Sequence, residues 1–357
     1  MLQRLTVSHV RNLQLCSLTL SRLNLFYGFN GSGKSSLLEA VYLLAMGRSF
    51  RSQLIRKVIQ DGQQQCTVFA RFYSGQQLGI TKLYDGGQLL KRNGVLVNNM
   101  AEFAYDLPVQ LIHPESMDLI DSGSKPRRQL LDWIVFHVEP DFYHTWQRYQ
   151  RALLQRNVLL KSDTHIDDQL VIWEKEIASY ALLLHGMRSQ IMSQWQLFLA
   201  KSIALLLPAI SIKIEYSAGF DVETDLVQQL YDSRIKDRVR GYTQLGAHRA
   251  DIKLKTELGL AEAVLSRGQK KLLICALKLA QVEFLKTHIN KSCVVLLDDL
   301  ASELDVIARA RLLTHLHYLD AQILITAVEA DSVWPTLCEL DKQAKLFHVE
   351  QGLIHAV

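Results

Sequence analysis

The run Gly28-Phe29-Asn30-Gly31-Ser32-Gly33-Lys34-Ser35 satisfies G-x-x-x-x-G-K-[ST] without a gap, and few short patterns constrain a fold as strongly. The glycines let backbone N–H groups turn toward phosphate oxygens. Lys34 supplies a point charge at the β and γ phosphates, and the Ser35 hydroxyl can ligate Mg2+. A structural glycine turn is the competing reading, and the flanking pattern decides against it. Asn24-Leu25-Phe26-Tyr27 reads as an apolar strand end, and Leu37, Leu38, Val41, Leu44 and Ala45 fall on one helical face before Gly47 stops the helix. Strand, loop and helix in that order is the context in which the motif holds a nucleotide, with the helix dipole adding to the attraction.

A phosphate loop needs a carboxylate for the metal. Val294-Val295-Leu296-Leu297-Asp298-Asp299 gives four apolar strand residues ending in two acids. Open α/β sheets bind ligands at the carboxyl ends of their strands, so Asp298 can hold magnesium while Asp299 faces the attacking water. Around these motifs the chain reads as two α/β ends forming one sheet, with a helical region inserted. Cys66 to Val97, broken at Asp85-Gly86-Gly87 and Asn93-Gly94, predicts an antiparallel β layer. Leu170, Trp173, Ile177, Tyr180, Leu184, Met187, Ile191, Trp195 and Phe198 predict a long helix with one apolar seam. Phe142, Trp146, Tyr149 and Leu153 predict its antiparallel partner. The expected division is residues 1–112, the first half of the nucleotide-binding head; 113–208, the helical lobe; and 209–357, the second half.

With 357 residues and 48% apolar composition, wholesale disorder is excluded. No apolar stretch approaches the roughly 20 residues of a spanning helix, and no signal peptide is visible, so the expectation is a cytoplasmic protein without membrane contact. The five scattered cysteines include no C-x-x-C pair and read as buried free thiols. His315-x-His317 reads as two helix-surface histidines rather than a metal site.

Leu265-Ser266-Arg267-Gly268-Gln269 opens a further helix, with Ser266 at the N-cap and Gly268 permitting close approach to a phosphate. A capped helix alone would explain it. Its position before the acidic strand, with Ala301-Ser302-Glu303-Leu304-Asp305 beyond, makes the chain resemble the ABC-type ATPases. Within them it resembles the RecF family of bacterial recombination-repair proteins, which are related to SMC heads. The resemblance runs through Arg11-Asn12, the phosphate loop, Gly47-Arg48-Ser49-Phe50-Arg51, Pro114-Glu115, Arg127-Arg128 with Leu131-Asp132, Gly246-Ala247-His248-Arg249-Ala250-Asp251 and the signature with Asp298-Asp299. Ala247 stands where that family usually has proline, and Pro126 is displaced from its expected place.

The resemblance implies a mixed-sheet ABC-type head split by a helical lobe, with ATP cradled by Gly28 to Ser36 and Mg2+ held by Ser35 and Asp298. Lys34 and Asp299 carry catalysis, Asp299 replacing the usual glutamate, and Ser266, Arg267, Gly268 and Gln269 reach across a dimer interface to the partner's ATP. Thr326 stands where transporters place a switch histidine, and Pro114-Glu115 lies where relatives put a glutamine. Slow, DNA-stimulated hydrolysis serving as a release switch follows from these departures. The implied partners are duplex DNA or single-strand/duplex junctions, RecR, RecO and RecA, with roles in recombinase loading and SOS induction. A transporter ATPase subunit and a scaffold that never hydrolyses ATP are the alternatives. Formal charge is only +4, yet Arg48, Arg51, Arg56 and Lys57; Lys125, Arg127 and Arg128; and Arg148, Arg151 and Arg156 form clusters suited to sequence-neutral phosphate contacts.

Overall fold

The computed structural model describes residues 1–162, 167–299 and 304–357, excluding the side chains of Glu115 and Asp167. It divides into two compact units, one of Met1–Ser116 with Lys271–Val357 and one of Met117–Lys270.

The first unit begins with β1 (Leu2–Ser8), β2 (Cys16–Thr19), β3 (Leu23–Tyr27), β4 (Gln65–Phe72), β5 (Gln77–Leu83), β6 (Gln88–Arg92), β7 (Val95–Val97) and β8 (Val109–Ile112). The antiparallel layer expected from the turn signals is present, in the order β2-β1-β4-β5-β6-β7. Asn93 and Gly94, both at positive φ, close the β6–β7 hairpin, the conformation that Asn-Gly adopts most readily. Alternate residues of β4 (Cys66, Val68, Ala70 and Phe72) face the core, where Leu37, Leu38, Val41 and Leu44 of the helix Lys34–Met46 join them.

The second unit holds the expected helical pair, Phe142–Leu160 and Asp167–Leu206, and also the helix Ser124–Val138. Its border differs from the expected one. Residues 209–270, assigned above to the nucleotide-binding head, belong to this unit. There β9 (Lys213–Ser217), β10 (Asp251–Thr256) and β11 (Gly259–Leu260) pair, among the described residues, only with one another, in the order β11-β10-β9. The basic stretch from Arg234 to Arg240 is a short helix.

The seam of the long helix is also corrected. Leu170, Ile177, Leu184, Ile191 and Trp195 are buried as expected, but the column that Trp195 belongs to is otherwise Glu174, Ala181, Arg188 and Ser202. Trp173, Tyr180 and Met187, one position earlier in each case, are only partly buried. The charged members are paired: Arg156 contacts Glu174 at 3.1 Å and Asp237 at 2.7 Å, Arg234 reaches Glu174 at 2.6 Å, and Arg188 reaches Asp132 at 2.7 Å. Satisfied ion pairs let charges occupy positions where an apolar pattern expects hydrophobes.

The chain re-enters the first unit along the helix Arg267–Ile289 and adds β12 (Val294–Leu297), β13 (Gln322–Ala327), β14 (Lys345–Glu350) and β15 (Leu353–Ala356). The second sheet has the order β15-β14-β3-β13-β12-β8, parallel except for β15. Every residue of β12 and β13 is buried, as continuous apolar runs in a doubly covered parallel sheet should be. Cys66, Cys275 and Cys293 are buried thiols, Cys16 is partly buried and Cys338 is exposed. His315 is buried, against the surface position expected for it. Among the described residues no helix is long and apolar enough to cross a membrane.

Candidate functional site

Sheet register builds the site. β13 lies between β3 and β12, with Ile325 opposite both Leu25 and Leu297, so Thr326 stands one step beyond the last residue of β12. The phosphate loop leaves β3 on one side of it, and Asp298 leaves β12 on the other. Thr326 is 1% exposed. Its hydroxyl donates to Asp298 Oδ1 at 2.7 Å and accepts from the Asp299 backbone N–H at 2.8 Å. Asp298 Oδ1 also accepts from Ser35 Oγ at 2.8 Å. The two residues nominated for magnesium are therefore in contact, and a residue nominated for neither role holds both aspartates in place. Asp299 is held at φ 54, a left-handed conformation that costs a non-glycine residue about 1 kcal/mol or more.

The loop is fixed from behind by elements distant in sequence. Gly28 has φ 152, and a Cβ there would lie 2.1 Å from the Val349 carbonyl oxygen, so the hairpin β14–β15 backs the loop and only glycine fits. Gly352 N–H donates to the Ser32 carbonyl at 2.8 Å. Asn12 donates to the Gly31 carbonyl at 2.8 Å and accepts from Ser36 Oγ at 3.0 Å, tying the loop to the helix that follows. Lys34 donates to the Gly28 and Phe29 carbonyls at 2.6 and 2.9 Å, which holds its ammonium over the loop's own backbone. Burial lowers its pKa from the ordinary lysine value, while Asp299 and Asp298 oppose that shift. Phe29 is 81% exposed, and Asn30 is exposed too.

These residues fit a nucleotide with magnesium. Gly33 provides no side-chain cap for the helix Lys34–Met46, so the first-turn N–H groups and the dipole are available to an anion. Ser32 Oγ is buried without a hydrogen-bond partner, an uncompensated polar atom that a phosphate oxygen would satisfy. Among the described residues no group of three His, Cys, Asp or Glu could hold a metal. The Ser35–Asp298 oxygen pair instead matches how Mg2+ is held, by one or two protein oxygens completed by phosphates and water.

Glu39 went unremarked in the sequence, although an acid among Leu37, Leu38, Ala40 and Val41 was the available signal. It is wholly buried and accepts from Arg11 at 2.8 and 2.9 Å. Arg51 lies 3.6 Å from it, and Ser49 donates to it. Two of the landmark segments thus meet on one carboxylate.

The signature residues begin the helix Arg267–Ile289 in a reciprocal box: Ser266 N–H donates to Gln269 Oε1 at 2.9 Å, and Gln269 N–H donates to Ser266 Oγ at 3.3 Å. Ser266, Arg267 and Gly268 are exposed. A Cβ on Gly268 would meet nothing within 4 Å, so the protein's own packing does not require glycine there. Ala301 to Glu303 lie outside the described residues; Asp305 caps the helix Val306–Tyr318. Pro114 begins a short 3-10 turn after β8.

The residues nominated for DNA divide into two groups. Arg48, Lys57 and Lys125 are exposed, Arg51 faces Glu39, and Arg56 stacks over the Tyr84 ring at 4.9 Å. Arg127 instead pairs with Asp251 at 2.9 and 3.0 Å, Arg128 donates to the Ala250 carbonyl at 2.9 Å, and Arg156 is wholly buried.

Comparison with known proteins places this geometry. The RecF/RecN/SMC N terminal domain model matches residues 1–355. The DNA replication and repair protein RecF of Acinetobacter baylyi is 47% identical over 356 residues, covering 99% of each chain. That of Vibrio vulnificus is 41% identical over 358 residues, with 99% of each covered. A solved structure of the recombination mediator protein RecF with ATP superposes with a TM-score of 0.86 at 25% identity, over 100% of this chain and 97% of that one. An Smc head bound to the C-terminal winged-helix domain of ScpA shares the fold, with a TM-score of 0.62 at 14% identity over 100% of this chain and 96% of that one.

Proposed function

This chain belongs to the RecF family, within the RecF/RecN/SMC N-terminal domain group, and from that premise we propose that it is a cytoplasmic ATP-dependent DNA-binding protein of recombinational repair and replication-fork maintenance. The observation that carries the ATPase reading is the chain of contacts from Ser35 through Asp298 to Thr326 and the Asp299 backbone, directly beside the phosphate loop. Bound Mg2+ would screen phosphate charge as it develops in phosphoryl transfer. Lys34 neutralises the β and γ phosphates, the first-turn N–H groups orient them, and Asp299 is placed to orient the attacking water.

Hydrolysis in this reading is slow and DNA-stimulated. Aspartate is shorter than the usual catalytic glutamate, and Thr326 is already committed to both acids, so no switch histidine completes the site. ATP joins two copies, with Ser266 to Gln269 of each facing the γ-phosphate held by the other. The open space around Gly268 supports that role. The dimer clamps duplex DNA or a junction at a single-strand gap, works with RecR and RecO to assist RecA loading and SOS induction, and releases DNA after hydrolysis. A scaffold that never hydrolyses ATP would have no need of a strained, anchored Asp299.

The test mixes Lys34→Ala and Ser266→Arg proteins. Each alone should lack ATP-dependent dimerisation and DNA-stimulated phosphate release, while the mixture regains both through one intact composite site. A mixture that forms heterodimers yet stays inactive would rule out signatures acting in trans.

A further inference from the structure

The turn Gly246 to Asp251, a landmark in the sequence, has no part in the site described above, yet the second unit holds it with unusual thoroughness. Arg188, itself buried and bidentate to Asp132, donates to the Ala247 carbonyl at 2.7 Å. Arg128 donates to the Ala250 carbonyl at 2.9 Å, and Arg127 grips Asp251. Tyr149 OH accepts from His248 N–H at 3.2 Å and lies 2.6 Å from His248 Nδ1. With Tyr149 OH donating to Nδ1, the ring's proton sits on Nε2 and donates to the Thr243 carbonyl at 2.9 Å. Burial pushes the imidazole pKa down to about 4, so this neutral tautomer is the one present at neutral pH. Gly246, at φ 131, is required because a Cβ there would lie 2.6 Å from Tyr149 OH.

All this fixes the backbone of one residue, Arg249, whose side chain is exposed and has no protein partner among the described residues. Arg127 and Arg188 each face a carboxylate. Arg128 and Arg249 do not, among the described residues, and both charges act on the same His248 imidazole. Burial and the neighbouring Arg188 lower the pKa of Arg128 from its ordinary value, with Asp132 and Asp251 opposing. Lys125, exposed and three residues before Arg128 on the helix Ser124–Val138, shares its face. Lys125, Arg127, Arg128, Arg188 and Arg249 thus outnumber the carboxylates that face them, Asp132, Asp251 and Glu262, the last 3.9 Å from Arg127, and Arg249 is held on a rigid turn.

We propose that Arg249, backed by Arg128 and Lys125, contacts a backbone phosphate of DNA. This deepens the DNA-binding reading above and rests on it. The turn's own backbone argues against a nucleotide site. His248 and Arg249 N–H groups are engaged by Tyr149 OH and the Gly246 carbonyl, so no nest of N–H donors is available, as it is at Gly28 to Ser35. A side-chain contact from an exposed guanidinium, with a second exposed cation on the helix that holds the turn, suits a polymer of spaced phosphates.

The experiment measures binding of the full-length wild type, Arg249→Ala and Arg249→Lys proteins to gapped and continuous duplexes, with ATP, across a salt series. Arg249→Ala should bind several-fold more weakly on every sequence, and its slope of log affinity against log salt should be shallower by about 0.9. Arg249→Lys should keep the wild-type slope. Unfolding midpoints, ATP-dependent dimerisation and DNA-free phosphate release should match wild type in both variants. Equal slopes for wild type and Arg249→Ala would overturn the proposal, as would a loss that appears in DNA-free dimerisation, which would assign Arg249 to a nucleotide. Wild type failing to bind DNA at all would refute the DNA reading itself, a result distinct from a silent variant.

Discussion

Replacing Thr326 by valine keeps its shape and removes one oxygen that serves both acids. The Asp299 N–H, bound at 2.8 Å, loses its acceptor, and Asp298 loses a donor at 2.7 Å. Thr326 is buried at 1% exposure, so water does not readily replace either bond. An unsatisfied buried N–H costs about 1–3 kcal/mol, and loss of a charge-assisted bond adds about 1–2 kcal/mol. The sum, about 2–5 kcal/mol, should lower the unfolding midpoint by about 5 °C or more. Asp299 is at φ 54, and without its anchor it relaxes toward an ordinary conformation, displacing the carboxylate. A displacement on the order of 1 Å costs up to about 100-fold in rate. Phosphate-loop contacts are untouched, so kcat should fall while the KM for ATP stays near wild type. Thr326→Ser restores the hydroxyl and should recover most of both quantities. Calorimetry with steady-state phosphate release on the three proteins gives the answer. Wild-type kcat in Thr326→Val would refute the positioning role, and a lowered midpoint with unchanged kcat would reduce the threonine to a structural part.

Two further outcomes concern the second unit. Arg156→Ala takes the guanidinium from buried Asp237 and leaves buried Glu174 to Arg234 alone, and should cost about 3–5 kcal/mol by urea unfolding; a loss below about 1 kcal/mol would contradict the network. His248 has a folded pKa of about 4 against an ordinary value of 6.5. The unfolded chain therefore takes up a proton first, and stability present above pH 6.5 is lost as pH falls toward 4, by at most about 3 kcal/mol. Relative to His248→Gln, the wild type should lose stability across that window, and parallel pH curves for the two would be inconsistent with a buried neutral imidazole.

The candidate nucleotide site was legible because each part of it is local. Gly28 to Ser35 and Val294 to Asp299 are contiguous, and strand, loop and helix follow one another within each. What escaped was set by register. Thr326 was noticed only as a missing histidine, since nothing in Ile323-Leu324-Ile325-Thr326 says that β13 lies between β3 and β12. The backing of Gly28 by Val349 joins residues more than three hundred positions apart, and no spacing rule reaches that far. In the long helix the apolar pattern chose Trp173, Tyr180 and Met187, one position from the buried column, because two members of that column are Glu174 and Arg188. The expected border at 208 and that of the compact unit differ for a related reason. The alternation at Ile210, Ile212 and Ile214 identifies a strand but not its sheet, and β9 pairs with β10.

Charge shows the limit most clearly, since a guanidinium inside the fold and one in solvent have the same letter. Arg127 and Arg156 were nominated with Arg48 and Arg51 because they are clustered in sequence, yet their partners are Asp251, Glu174 and Asp237. An internally paired cation displaces no counterions when DNA arrives, so it contributes nothing to the salt dependence of binding. The positive charge available to DNA is therefore smaller than the clusters suggest, and it lies on residues such as Arg48, Lys57, Lys125 and Arg249, which are exposed. Arg249 drew attention only as part of a landmark, not as a member of a basic run. Its neighbours in sequence, His248 and Ala250, carry no charge at neutral pH, and its cationic company, Arg128, arrives through the fold, from the far end of a hydrogen bond to the Ala250 carbonyl.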